Sequence, residues 1–112
     1  MTLCFAGGLV APAFANEYCP PVTIAAGQYC SCIVRNYGTI GHENVTITLY
    51  AGNSVAKTCA VSIAAGVDFK CEIQFAGASS CGCKVIGDAL SSRTAICVDP
   101  GDSTPLTCEP CR

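Results

Sequence analysis

The chain has no tryptophan, a single histidine and few charges. Charged residues make up 12% of its 112 residues, six basic against eight acidic, for a net charge of −2. So few and scattered basic residues exclude the stripe that nucleic acid or an anionic lipid surface would need. They also exclude a cationic, membrane-lytic amphipathic helix. The one histidine, His42, sits in a Gly-flanked stretch beside Glu43, with no G-x-S-x-G elbow elsewhere to supply a nucleophile. Glu43 and Asp88 form a nominal carboxylate pair, but no aromatic platform or recognisable cleft accompanies them. His42 therefore reads as a solvated loop residue, and no catalytic residue is expected.

Cysteine is what the chain has in excess: eleven residues. Met1 to Val10 is a short apolar run, followed by Pro12 and then Ala13-Phe14-Ala15, an A-x-A cleavage pattern ahead of Asn16. The run is far shorter than the roughly 18 residues that span a bilayer. It lacks a basic segment, since no Lys or Arg precedes Arg35. Residues 1–15 are read as a secretory leader, either truncated at its start or weak. Its removal takes Cys4 with it and leaves an even set: Cys19, Cys30, Cys32, Cys59, Cys71, Cys81, Cys83, Cys97, Cys108 and Cys111. An even, dense set in a short chain marks a secreted disulfide scaffold in an oxidising compartment. Residues 16–98 are expected to form one β-sandwich domain, and 99–112 an irregular tail held by Cys108 and Cys111.

Helical periodicity is absent, and short β-rich segments recur between Gly, Pro, Asn and Asp. Cys19–Ile24 reads as an irregular edge strand because of its two prolines. Strands are predicted over Gln28–Arg35, Asn44–Tyr50, Val55–Ile63, Val67–Phe75, Cys81–Ile86 and Arg93–Val98, with a loop from Asn36 to Glu43 and a hairpin turn at Gly52-Asn53. In Val67–Phe75 the alternation is cleanest, with Phe69, Cys71, Ile73 and Phe75 inward. Cys30-Ser-Cys32 and Cys81-Gly-Cys83 each place two sulfurs on one face of a strand. Thr23-Ile-Ala-Ala-Gly27 and Ser62-Ile-Ala-Ala-Gly66 stand at equal offsets before Cys32 and Cys71. They read as one turn solution used before two paired strands of a single sheet.

The run Cys32-Ile-Val-Arg-Asn-Tyr-Gly38, Asn44-Val-Thr-Ile-Thr-Leu-Tyr-Ala-Gly52 and Ser62-Ile-Ala-Ala-Gly66 with the strand after it resembles the immunoglobulin/fibronectin-like sandwiches of the CARDB (cell adhesion related domain) type. The likeness covers Tyr29 to Val98. It implies an all-β, immunoglobulin-like two-sheet sandwich of about seven strands. The cysteine density departs from such domains and is similar to that of small cysteine-rich secreted, effector-like proteins. In an immunoglobulin-like order the strand with Cys30 and Cys32 is the second and that with Cys81 and Cys83 near the sixth. These face each other across the core, which implies at least one bridge between them. A Cys32–Cys71 bridge within one sheet is the competing arrangement.

Two Cys-x-Cys pairs and Cys108-Glu-Pro-Cys111 offer thiolates for zinc. Zinc knuckles, however, favour wider spacings on tight turns, so these cysteines are read as bridges, and no metal or cofactor is expected. Asn44-Val45-Thr46 is an N-glycosylation sequon in a eukaryotic source. Asn36, Tyr37, His42, Glu43 and Tyr50 are the candidate contact residues, at one end of a sandwich whose loops present recognition groups. The expected function is a secreted, non-catalytic binding module, effector-like or adhesion-like, presenting the loops Asn36–Glu43 and Gly87–Ser92 to a protein or glycan partner. A small secreted inhibitor or toxin is the alternative, and an extracellular hydrolase the weaker one. No nucleic-acid partner and no membrane insertion of the mature form are expected, and the sequence assigns no oligomeric state.

Overall fold

The computed structural model describes residues 15–39, 41–87, 92–101 and 106–111. Nearly all of the proposed leader, Asp88 and most of the Gly87–Ser92 loop lie outside them. Eight strands and no helix are described: β1 (Ala15–Ile24), β2 (Tyr29–Asn36), β3 (His42–Ala51), β4 (Ser54–Ala64), β5 (Asp68–Gln74), β6 (Ser79–Gly87), β7 (Ser92–Asp99) and β8 (Thr107–Pro110). They form two four-stranded sheets, β1-β6-β3-β4 and β5-β2-β7-β8, with every pairing antiparallel. The chain is an all-β, immunoglobulin-like sandwich.

Each central strand alternates as a half-buried strand must. Along β3, Val45, Ile47 and Leu49 are buried while Asn44 and Thr46 are exposed. These side chains meet Cys30, Cys32 and Val34 of β2 and Ile96 of β7 in one core. The second and sixth strands face each other, as the resemblance implied. The neighbours β2–β5 and β3–β6 match the B–E and C–F pairs of an immunoglobulin sandwich. The flanking strands differ. β1 lies beside β6, and β7 lies beside β2 with β8 outside it, so the first and seventh strands exchange sheets.

The two Ala-Ala-Gly turns are one solution used twice. Gln28 N donates to Ala25 O at 3.0 Å and Val67 N to Ala64 O at 3.1 Å. Gly27 (φ 84°) and Gly66 (φ 77°) hold the third position, where a type II turn requires positive φ. Each turn also closes the far end of the partner strand: Gly27 N donates to Phe75 O, and Gly66 N to Asn36 O, both at 2.7 Å. β2 and β5 are thus paired ends to ends.

Three expectations are corrected. The loop predicted from Asn36 to Glu43 is shorter, because the inward alternation of β3 runs back to Glu43 and the strand begins at His42. The first strand begins at Ala15, not Cys19, and accommodates Pro20 and Pro21 at a register shift between Cys19 and Val22. In the tail, Thr107–Pro110 pairs with β7 as an edge strand, where a proline needs no ladder donor.

Five disulfides staple the sandwich. Cys30–Cys81 and Cys32–Cys83 cross the core between the sheets, with Cα separations of 6.5 and 6.4 Å. Cys59–Cys71 joins edge strands β4 and β5 along one open side. Cys19–Cys111 joins β1 to the residue after β8 along the other. Cys97–Cys108 ties directly opposed residues of β7 and β8. Five bridges of this kind fit an oxidising environment.

Candidate binding faces

The structure separates the five candidate contact residues. Asn36 is 1% exposed, and Glu43 3%. Asn36 Nδ2 donates to Ile63 O at 2.9 Å, and its Oδ1 accepts from Gly38 N at 2.8 Å. Glu43 accepts a hydrogen bond from Ser92 Oγ across the sandwich. Nearby, Thr94 Oγ1 donates to Glu17 Oε1 at 2.5 Å. These groups form a polar layer that closes one end of the core and locks the two sheets in register. His42 and Tyr50 point outward at opposite ends of β3, on the other side of the strand from Glu43. His42 and Glu43 therefore do not face a common space. Asn44 is exposed on the same outer face.

Tyr37 is also at the surface, 62% exposed. Its ring lies 5.4 Å from the Arg35 guanidinium, a cation–π contact. Arg35 Nη1 pairs with Asp68 at 3.0 Å across the β2–β5 ladder. Across the opposite ladder, β2–β7, the residue directly facing Arg35 is Arg93. Arg93 Nη1 donates to Ser92 O at 2.8 Å. Together these residues line an open groove of about 390 Å³, floored by Ile33 and Ala95. Like charges directly opposite each other in a sheet are unfavourable, and Asp68, itself half exposed, pairs with Arg35.

The chain matches no protein-family model, no curated protein and no solved structure.

A second groove, of about 420 Å³, lies on the outer face of the other sheet, over Gly82 and between Tyr18 and Tyr50. Sequence reasoning missed Arg35, Arg93 and Tyr18. The pairing of the two arginines depends on strand register, which alternation alone does not set for neighbouring strands. Tyr18 precedes two prolines that obscure the true start of β1. One deeper cluster consists of sulfurs: those of Cys19, Cys32 and Cys83 lie within 4.8 Å of one another. All three are bonded in bridges, so in the oxidised protein they are structural sulfur and not free thiolates.

Proposed function

We propose that the protein is a secreted, non-catalytic binding module that recognises a carboxylate-bearing partner through the groove of Arg35, Tyr37 and Arg93. The observation that carries this reading is the direct opposition of Arg35 and Arg93 beside an exposed tyrosine. Two guanidinium groups brought level on one open face can both be reached by one anionic group, and their forks suit carboxylates. The tyrosine adds a rigid amphipathic contact at little entropic cost. Bridges on every side of the sandwich pre-organise the face, which reduces the ordering lost on association. The resemblance to CARDB-type adhesion domains and to cysteine-rich secreted effectors is in keeping with such a role, and the leader pattern with secretion.

Affinity capture tests the reading. The oxidised protein and an Arg93→Glu/Tyr37→Ala variant of equal thermal stability are presented to extracellular extracts of the producing cells and their neighbours. A partner retained by the first and lost from the second supports the assignment. Equal capture by both would refute it.

A further inference from the structure

The outer face of the β1-β6-β3-β4 sheet carries a feature that the fold does not require. Gly82 lies in the middle of β6, a central strand, paired with Tyr50 on β3. Its φ is not in the left-handed region, and a Cβ built there meets nothing within 4 Å. Neither turn geometry nor close packing therefore calls for glycine, although glycine weakens a strand interior. What its bare backbone does is open a floor between two tyrosines. Tyr18 on β1 is 59% exposed and stands level with Lys84; Tyr50 stands level with Gly82 itself. Their strands flank β6, so they sit roughly 10 Å apart across the sheet and are offset by two residues along it.

We propose that this slot is a saccharide-binding site that takes a short run of a neutral glycan lying diagonally over Gly82. A sugar ring presents a C–H face and a rim of hydroxyls, and tyrosine offers an apolar ring with a polar tip to match both. Asn53, Ser80 and Lys84 on the groove wall supply side-chain hydrogen-bonding groups for the rim. Lys84 is the single formal charge lining the slot, with no carboxylate among the described residues there. One ammonium lacks the fork with which the two guanidinium groups of the opposite sheet can hold a carboxylate, so recognition here rests on the tyrosine rings and the uncharged polar groups. The two sites share no residue, and either holds without the other.

The test uses the full oxidised protein on an array of immobilised neutral oligosaccharides (glucan, xylan, mannan and chitin fragments) beside acidic ones. Wild type is compared with Gly82→Val and Tyr18→Ser, and melting temperature is measured for each. Valine fills the slot while suiting a strand, so Gly82→Val should melt no lower than wild type and lose neutral-glycan affinity by at least about tenfold. Tyr18→Ser should show a similar loss, and it decides the matter if Gly82→Val fails to fold. No retention of a neutral saccharide by wild type, retention of acidic saccharides alone, or unchanged affinity in the folded variants would overturn the proposal.

Discussion

Cys32 lies directly opposite Cys71 in the β2–β5 ladder, yet the two are not bonded to each other. Cys32 reaches across the core to Cys83 in the other sheet, while Cys71 reaches to Cys59 on the edge strand β4. Both side chains point inward from the same sheet, and each finds its partner in the facing one. A bridge between them would have spent two cysteines on strands that backbone hydrogen bonds already join. The observed pairings instead fasten sheet to sheet, where no strand ladder joins them.

Asn36 is predicted to be a structural residue. Asn36→Ala removes both the bond to Ile63 O and the acceptor for Gly38 N, two side-chain hydrogen bonds at a buried position. The expected loss is about 1–3 kcal/mol, read from urea denaturation of the oxidised protein. A loss of stability within error of zero would place Asn36 back among the contact residues.

Two glycines are predicted to behave oppositely. Gly66→Ala forces an alanine to φ near 77° and should destabilise by about 1–2 kcal/mol. Gly82→Ala adds a side chain in open space within an extended strand and should stabilise by about 0.5–1 kcal/mol. Paired thermal melts check both. A destabilised Gly82→Ala would mean that the strand needs its glycine for folding, which undercuts the argument for an open slot.

The edge bridge Cys59–Cys71 is predicted to contribute stability without fixing the topology. Replacing both cysteines by alanine should cost about 2–4 kcal/mol. The remaining four bridges should still form, as shown by intact mass with and without thiol alkylation. Scrambled pairings in that variant would show that the edge staple directs the others.

Much of the fold was legible because strand signals here are local. The alternation in Phe69–Phe75, the Cys-x-Cys spacings and the paired Ala-Ala-Gly turns identify strands, inward faces and one antiparallel pair. Facing of the second and sixth strands followed from the sandwich order. What stayed hidden depends on register and on polar burial. Glu43 reads as a loop residue because a carboxylate seldom continues an apolar face; the Ser92 hydroxyl arriving from the other sheet helps make its burial tolerable. Arg35 and Arg93 are separate exposed cations until the β2–β7 register sets them opposite each other. β8 was obscured by its proline and brevity, and it is held by two disulfides that no local pattern announces.

Peptide mapping of the mature protein under non-reducing conditions bears most directly on the stapled sandwich, from which both binding faces follow. The fold predicts peptides linking Cys30 to Cys81 and Cys32 to Cys83, together with Cys59–Cys71, Cys97–Cys108 and Cys19–Cys111, and no free thiol among these ten. A Cys32–Cys71 linkage, or the absence of any link between residues 30–32 and 81–83, would contradict it.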